Sequence, residues 1–217
     1  MLPPRAAAAL FRRKGENMTT KTIKLPEPKT DEHMSVARAL YLRRSVREYR
    51  NEPMTIGEVA QLVWAAQGVT ALGGYRTAPS AGALYPLEVY IVVGQVRELA
   101  PGVYHYKPAE HTLVKTLDHD VRRELGEAAA EQTWLQNAAM LLVLTARPER
   151  TTDKYGAHGL RYIHMEAGHA AQNLALEAVA LGLGSVAISA FDGERVRRIL
   201  ALKTSEEPLY LLSVGKK

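Results

Sequence analysis

The chain contains no cysteine. That absence excludes disulfides, thiol nucleophiles, thiolate zinc sites and cysteine-held iron–sulfur clusters together, and it fits a cytoplasmic protein. Long hydrophobic runs are missing too, for none reaches the roughly 18 residues a membrane helix needs. The richest stretch, Ala167 to Gly184, is interrupted by His169, Gln172, Asn173 and Glu177, and it reads as a buried helix. There is no HExxH, and His164 and His169 are five apart, not the three or four that put two ligands on one helical face, so no metal is expected. No internal repeat is visible. Lys and Arg outnumber Asp and Glu by 28 to 23, which permits an anionic partner. The basic residues are spread along the chain with no aromatic–basic ribbon, so a nucleic-acid module has only the net charge in its favour.

What is present suits one α/β or α+β domain. The length of 217 residues, with 47% hydrophobic and 24% charged, can bury a real core. Residues 1–30 differ from the rest, carrying Arg5, Arg12, Arg13 and Lys14 before any acid and then Pro26 and Pro28. They are expected to form a flexible arm ahead of a domain at 31–217. Met18 is a candidate natural start, which the intact mass of the native protein would settle.

Helical spacing begins at His33 and ends near Arg44. Thr55, with Glu58 three residues on, has the form of a capping box for a second helix that Gly68 stops. Val89 to Val93 is a near-continuous apolar run, the mark of a central strand. Further strands are predicted at 102–106, 112–117, 139–144, 185–190 and 209–214. Helices are predicted at 121–131, 160–181 and 193–200, the long one apolar on nearly all sides.

Two segments could carry chemistry. Arg43-Arg44-Ser45-Val46-Arg47 gathers three guanidinium groups and a hydroxyl where a helix ends, a set of donors that matches a phosphate. Cations placed against a helix C-terminus are the simpler alternative. The loop Ala78 to Pro86 has proline at both ends and Ser, Ala and Gly between, so a flat ring could lie on its bare backbone. An ordinary helix-to-strand connection is the alternative there.

The order RRSVR, APSAGALYP running into LEVYIVV, GVYHY, KYG and RYIHMEAGHAAQNLALEAVALGLG resembles the nitroreductase-like flavoprotein superfamily over about Ala39 to Gly215. Many members have an Asn and a Gln-Pro-Trp in the loop. Here Ala83 and Tyr85-Pro86 stand instead, which is closer to the SagB-type dehydrogenase branch. The resemblance implies an α+β fold, a sheet flanked by helices in an intertwined homodimer, with FMN at the subunit interface. By matching motifs, Arg43, Arg44, Ser45 and Arg47 would hold the phosphate and pyrimidine edge, and Pro79, Ser80, Ala81 and Gly82 would come from the other subunit. Ile188, Ser189 and Ala190 match a strand end that sets a backbone N–H near the flavin N5, and Lys216 and Lys217 stand where a basic residue often meets the phosphate. Lys154-Tyr155 matches a pair associated with azoline oxidation in the SagB-type branch; a solvent-exposed pair in a loop is the alternative. The activity implied is ping-pong hydride transfer from a donor such as NAD(P)H to a small organic acceptor. Two other activities are a SagB-type azoline dehydrogenase fed by a cyclodehydratase-type partner, and a flavin-binding protein without turnover.

Overall fold

Apolar alternation and helical stripes build this fold around one antiparallel sheet. The computed structural model describes residues 21–31 and 34–217. A short strand β1 (Thr22–Lys24) is followed by helix α1 (Val36–Leu42) and helix α2 (Ile56–Gln67). The Thr55–Glu58 capping box forms as predicted: Glu58 N–H donates to Thr55 Oγ1 at 3.2 Å, and Thr55 N–H to Glu58 Oε2 at 2.8 Å. Strands β2 (Leu87–Val93), β3 (Gly102–Lys107) and β4 (Thr112–Leu117) form an antiparallel meander, followed by helix α3 (Arg122–Ala128). Then come β5 (Met140–Ala146), α4 (Glu149–Tyr155), α5 (His158–Ala180), β6 (Leu183–Ile188), α6 (Gly193–Ile199) and β7 (Glu207–Lys216).

The seven strands lie in the order β1-β4-β3-β2-β5-β7-β6, and every pair is antiparallel. This is the α+β architecture expected. In the central pair, Leu87 stands opposite Ala146 and Val93 opposite Met140. Both strands are almost wholly buried, because side chains on their two faces enter two separate cores. Val89, Ile91, Leu142 and Leu144 face α2 and α5. Tyr90, Val92, Leu141 and Val143 face α3 and α6. Each large apolar side chain so buried contributes about 1.5–3 kcal/mol of transfer free energy.

One expectation and one alternative need correction. Residues 21–30 of the predicted arm belong to the fold. Thr22 to Lys24 pair with β4, Leu25 is buried, and Lys29 exchanges two hydrogen bonds with Gln61 at 2.8 and 2.9 Å. The sheet edge supplies the pairing that the sequence does not display. The rest of the arm, Met18 included, lies outside the described residues. Lys154 and Tyr155 are not in a loop: they end α4. No helix among the described residues is long and apolar enough to cross a membrane.

Candidate cofactor site

The chain leaves α1 at Arg43 and becomes extended. Ser45 makes a parallel bridge with Ser185 of β6, and Val46 N–H donates to the Ser185 carbonyl at 3.0 Å. Val46 then lies on Gly184, where a Cβ would stand 2.7 Å from Val46 Cγ1. Tyr49 covers Gly215 in the same way and bonds Ser213 Oγ at 2.7 Å, and burial pushes its phenol up to about 12. This strip is therefore clamped across the end of β6 and β7.

Because the strip is extended, its side chains alternate. Arg43 and Ser45 line a cavity of about 200 Å³ between β6, β7 and α5. Gly168, Ala171, Ala175 and Ala187 form much of the rest, so small side chains leave a bare surface, with Gln172 and Tyr210 beside it. Ala187 is the one exposed residue within β6. The Arg43 guanidinium makes no hydrogen bond or ion pair among the described residues, which leaves it a free phosphate-type donor at the cavity wall. Arg44 behaves differently. Its Nη1 donates to the carbonyls of Tyr41 at 3.0 Å and Arg43 at 2.7 Å, so it caps α1 and does not line the cavity. Arg47 is exposed, near enough to act electrostatically on Tyr49.

The β6 residues in this cavity are Ser185, Val186 and Ala187, three residues earlier than the predicted 188–190. The Ile188 side chain enters the opposite core, and Ser189 and Ala190 are exposed past the strand end. Lys216 does not present a free ammonium: it is bonded to Glu58 at the start of α2, and its carbonyl accepts from Arg50 N–H at 2.9 Å. That bond helps hold the Glu58 carboxyl below its ordinary value against burial, which would raise it. Lys217 is exposed.

A second group forms around the predicted loop. Pro79 is exposed, Ser80 Oγ accepts from Tyr85 N–H at 2.9 Å, and Ala81 to Ala83 make a 3-10 turn. Gly82 has φ of +64°, and a Cβ there would lie 2.7 Å from Tyr155 Oη and 3.1 Å from Lys154 Nζ. The lysine–tyrosine pair thus lies on this turn of its own chain. The Tyr155 ring also stands edge-on to Tyr162 at 5.2 Å.

Beneath the turn is a carboxylate that sequence reasoning passed over. Glu166 of α5 is 3% exposed. Burial pushes it up to about 7, against the opposing pull of Ser80, Arg76 and Gln67, and its Oε1 has no hydrogen-bond partner. The signal was available, for Glu166 falls within the apolar stripe of Ile163, Ala167 and Ala170. Arg76 bonds Gln67 Oε1 at 2.8 Å and lies 4.5 Å from the Tyr85 ring centroid. From α4, Arg150 holds the Tyr85 carbonyl at 3.1 Å and Glu88 at 2.6 Å.

The two groups occupy opposite sides of α5. Glu166 and Asn173 reach the loop, Asn173 donating to the Thr77 carbonyl at 3.2 Å, while Gly168, Gln172 and Ala175 line the Arg43 cavity. No hydrogen bond or ion pair among the described residues joins Arg43, Ser45 or Arg47 to residues 79–82 or to the Lys154–Tyr155 pair.

Comparison with known proteins agrees with this architecture. The chain is 46% identical over 198 residues to a provisionally named nitroreductase of Methanocaldococcus jannaschii, covering 91% of this chain and 98% of the relative. It is 32% identical over 184 residues to a protein named NADH dehydrogenase from Thermus thermophilus, covering 80% and 82% of the two. A crystal structure of a provisionally named nitroreductase from Ralstonia eutropha superposes with a TM-score of 0.81 at 29% identity, over 99% of this chain and 98% of that one. The family model described as the nitroreductase family matches residues 40–216, and on that match and the methanogen relative the chain belongs to the nitroreductase family of oxidoreductases.

Proposed function

We propose that this protein is an FMN-dependent oxidoreductase that works as a homodimer, with each flavin site built from two subunits. The observation that carries the proposal is the uncommitted Arg43 guanidinium beside a cavity walled by Gly168 and Ala187, on the side of α5 away from the Pro79–Gly82 loop. A phosphate needs the first and a flat ring needs the second. Arg43 and Ser45 bind the phosphate, and the exposed Arg47 balances the negative charge that two-electron reduction places on the pyrimidine edge. The backbone beyond β6 at Ser189 and Ala190 supplies the N–H toward N5, and the Pro79–Gly82 loop of the second subunit covers the ring. FMN held there supplies hydride chemistry between a donor such as NAD(P)H and a small organic acceptor. The relative named NADH dehydrogenase supports a nicotinamide donor.

A second reading is favoured by one contact. Lys154 Nζ and Tyr155 Oη lie against the Gly82 turn, where a lysine can take a ring proton as hydride departs. This suits a SagB-type azoline dehydrogenase, with a cyclodehydratase-type partner presenting a modified peptide. The same contact argues against a flavin carrier without turnover, for which the pair has no use.

The test is the absorbance spectrum of the purified protein, followed by anaerobic titration with NADH and NADPH. A flavin spectrum that bleaches with one nicotinamide supports the first reading. Bleaching only by an azoline peptide supports the second, and colourless protein that takes up no FMN from excess overturns both.

A further inference from the structure

On the face of the sheet opposite α5, a second cavity of about 380 Å³ opens between the β2–β3 strands and the C-terminal end of α6. Four permanent cations line it, Lys107, Arg147, Arg150 and Lys203, against two carboxylates, Glu88 and Glu206. The carboxylates are already provided for. Glu88 accepts from Arg150 at 2.6 Å and bonds His105 Nε2 at 2.7 Å, and these bonds outweigh burial to hold it down at about 2. Glu206 is 3% exposed and accepts from the Tyr90 hydroxyl at 2.8 Å and the Thr145 hydroxyl at 3.3 Å. Lys107 Nζ donates to His105 Nδ1 at 3.0 Å, which leaves the imidazole proton on Nε2, facing Glu88.

Arg147 and Lys203 remain. Arg147 Nε stands 3.8 Å from Glu88 and 3.7 Å from Glu206, too far for a hydrogen bond, and this buried atom has no other partner. The Lys203 ammonium makes no hydrogen bond or ion pair among the described residues; only its backbone carbonyl is engaged, accepting from Glu206 N–H at 3.0 Å. The cavity therefore holds two more cations than carboxylates, and in Arg147 a guanidinium that stands within ion-pair range of both carboxylates and is hydrogen-bonded to neither.

We propose that this cavity is a binding site for a small multivalent oxyanion, held by Arg147 and Lys203 and separate from the Arg43 cavity across the sheet. A phosphoryl group or a polycarboxylate supplies the oxygens that Arg147 lacks, and either neutralises the surplus charge.

The test is calorimetric titration of the full-length protein, with excess FMN present, using inorganic pyrophosphate in one arm and citrate in the other. The expected result is saturable binding of at least one probe, weakened at least about tenfold in Arg147→Ala and by a smaller factor in Lys203→Ala. Binding of pyrophosphate alone marks a phosphoryl ligand, and binding of citrate alone a carboxylate ligand. The Lys203 side chain is exposed and has no partner, so Lys203→Glu still decides the matter if Arg147→Ala fails to fold. Absence of saturable binding at millimolar probe overturns the proposal. So does binding indifferent to both positions, or binding lost in Arg43→Ala and kept in Arg147→Ala, which would put the anion in the other cavity.

Discussion

At the scale of single residues, neighbours of the same type do different work. The Arg43 guanidinium lines the cavity without a partner, whereas that of Arg44 donates to the carbonyls of Tyr41 and Arg43 at the end of α1. Arg43→Ala is expected to weaken FMN retention about tenfold or more, and Arg44→Ala to leave it nearly unchanged while lowering stability by less than about 1 kcal/mol. Equilibrium dialysis with flavin fluorescence measures the first effect and urea unfolding the second. Equal flavin loss in the two variants would refute this division of labour. Glu166 makes a pH prediction. Its folded value, about 7, is above the ordinary 4.5, so the folded chain holds this proton more tightly than the unfolded chain does. The stability from this group is complete below pH 4.5, declines as pH rises toward about 7, and is gone above it, a change on the order of 3 kcal/mol. Glu166→Gln cannot titrate, so its unfolding free energy relative to wild type should rise between pH 5 and pH 8. A difference that stays flat across that window would mean that the carboxylate is ionised in the fold at both ends.

At the scale of elements, the strip after α1 depends on a glycine one strand away. A Cβ at Gly184 would meet Val46 Cγ1 at 2.7 Å and Val46 Cβ at 2.9 Å, and the latter atom cannot swing aside without moving the backbone. Gly184→Ala is therefore expected to lift the Ser45–Ser185 bridge and lower flavin affinity with the core intact, seen as reduced flavin occupancy at unchanged circular dichroism. Undiminished occupancy would show that the bridge does not position Arg43. The elements that sequence revealed are those whose own residues decide them. The apolar run of β2, the β5 run and the Thr55–Glu58 box of α2 carry their period or cap within a few positions. β1 and α4 do not. Thr22-Ile23-Lys24 is a strand because β4 offers an unpaired edge, and ERTTDKY has neither an apolar stripe nor a side-chain cap. The same distinction governs the site. The donors of RRSVR and the bare loop were readable as chemistry, but which arginine turns inward was fixed by the extended strip against β6, and the Lys154–Tyr155 contact with Gly82 by the packing of α4.

At the scale of the whole molecule, the surface left uncovered is itself informative. Val36 and Tyr41 of α1 are each 70% exposed, and Leu40 of α1 and Met165 of α5 are each 53% exposed. Large apolar groups exposed together on one short helix, as Val36, Leu40 and Tyr41 are, are unfavourable in water and mark an association surface. A second copy is the occupant proposed, because α5 separates the Arg43 cavity from the Pro79–Gly82 loop within one chain. A site that needs both must then draw them from two chains, and breaking the association should empty it. Leu40→Glu with Tyr41→Glu puts two carboxylates on that surface without touching either half of the site. Sedimentation is expected to show a monomer that keeps its helical spectrum and has lost bound FMN, although Arg43 and Ser45 are intact. Recovery of flavin at high protein concentration, in step with reassociation, would tie occupancy to the dimer by mass action. A monomer that retained flavin would place the whole site within one chain, and the two-subunit construction would have to be abandoned.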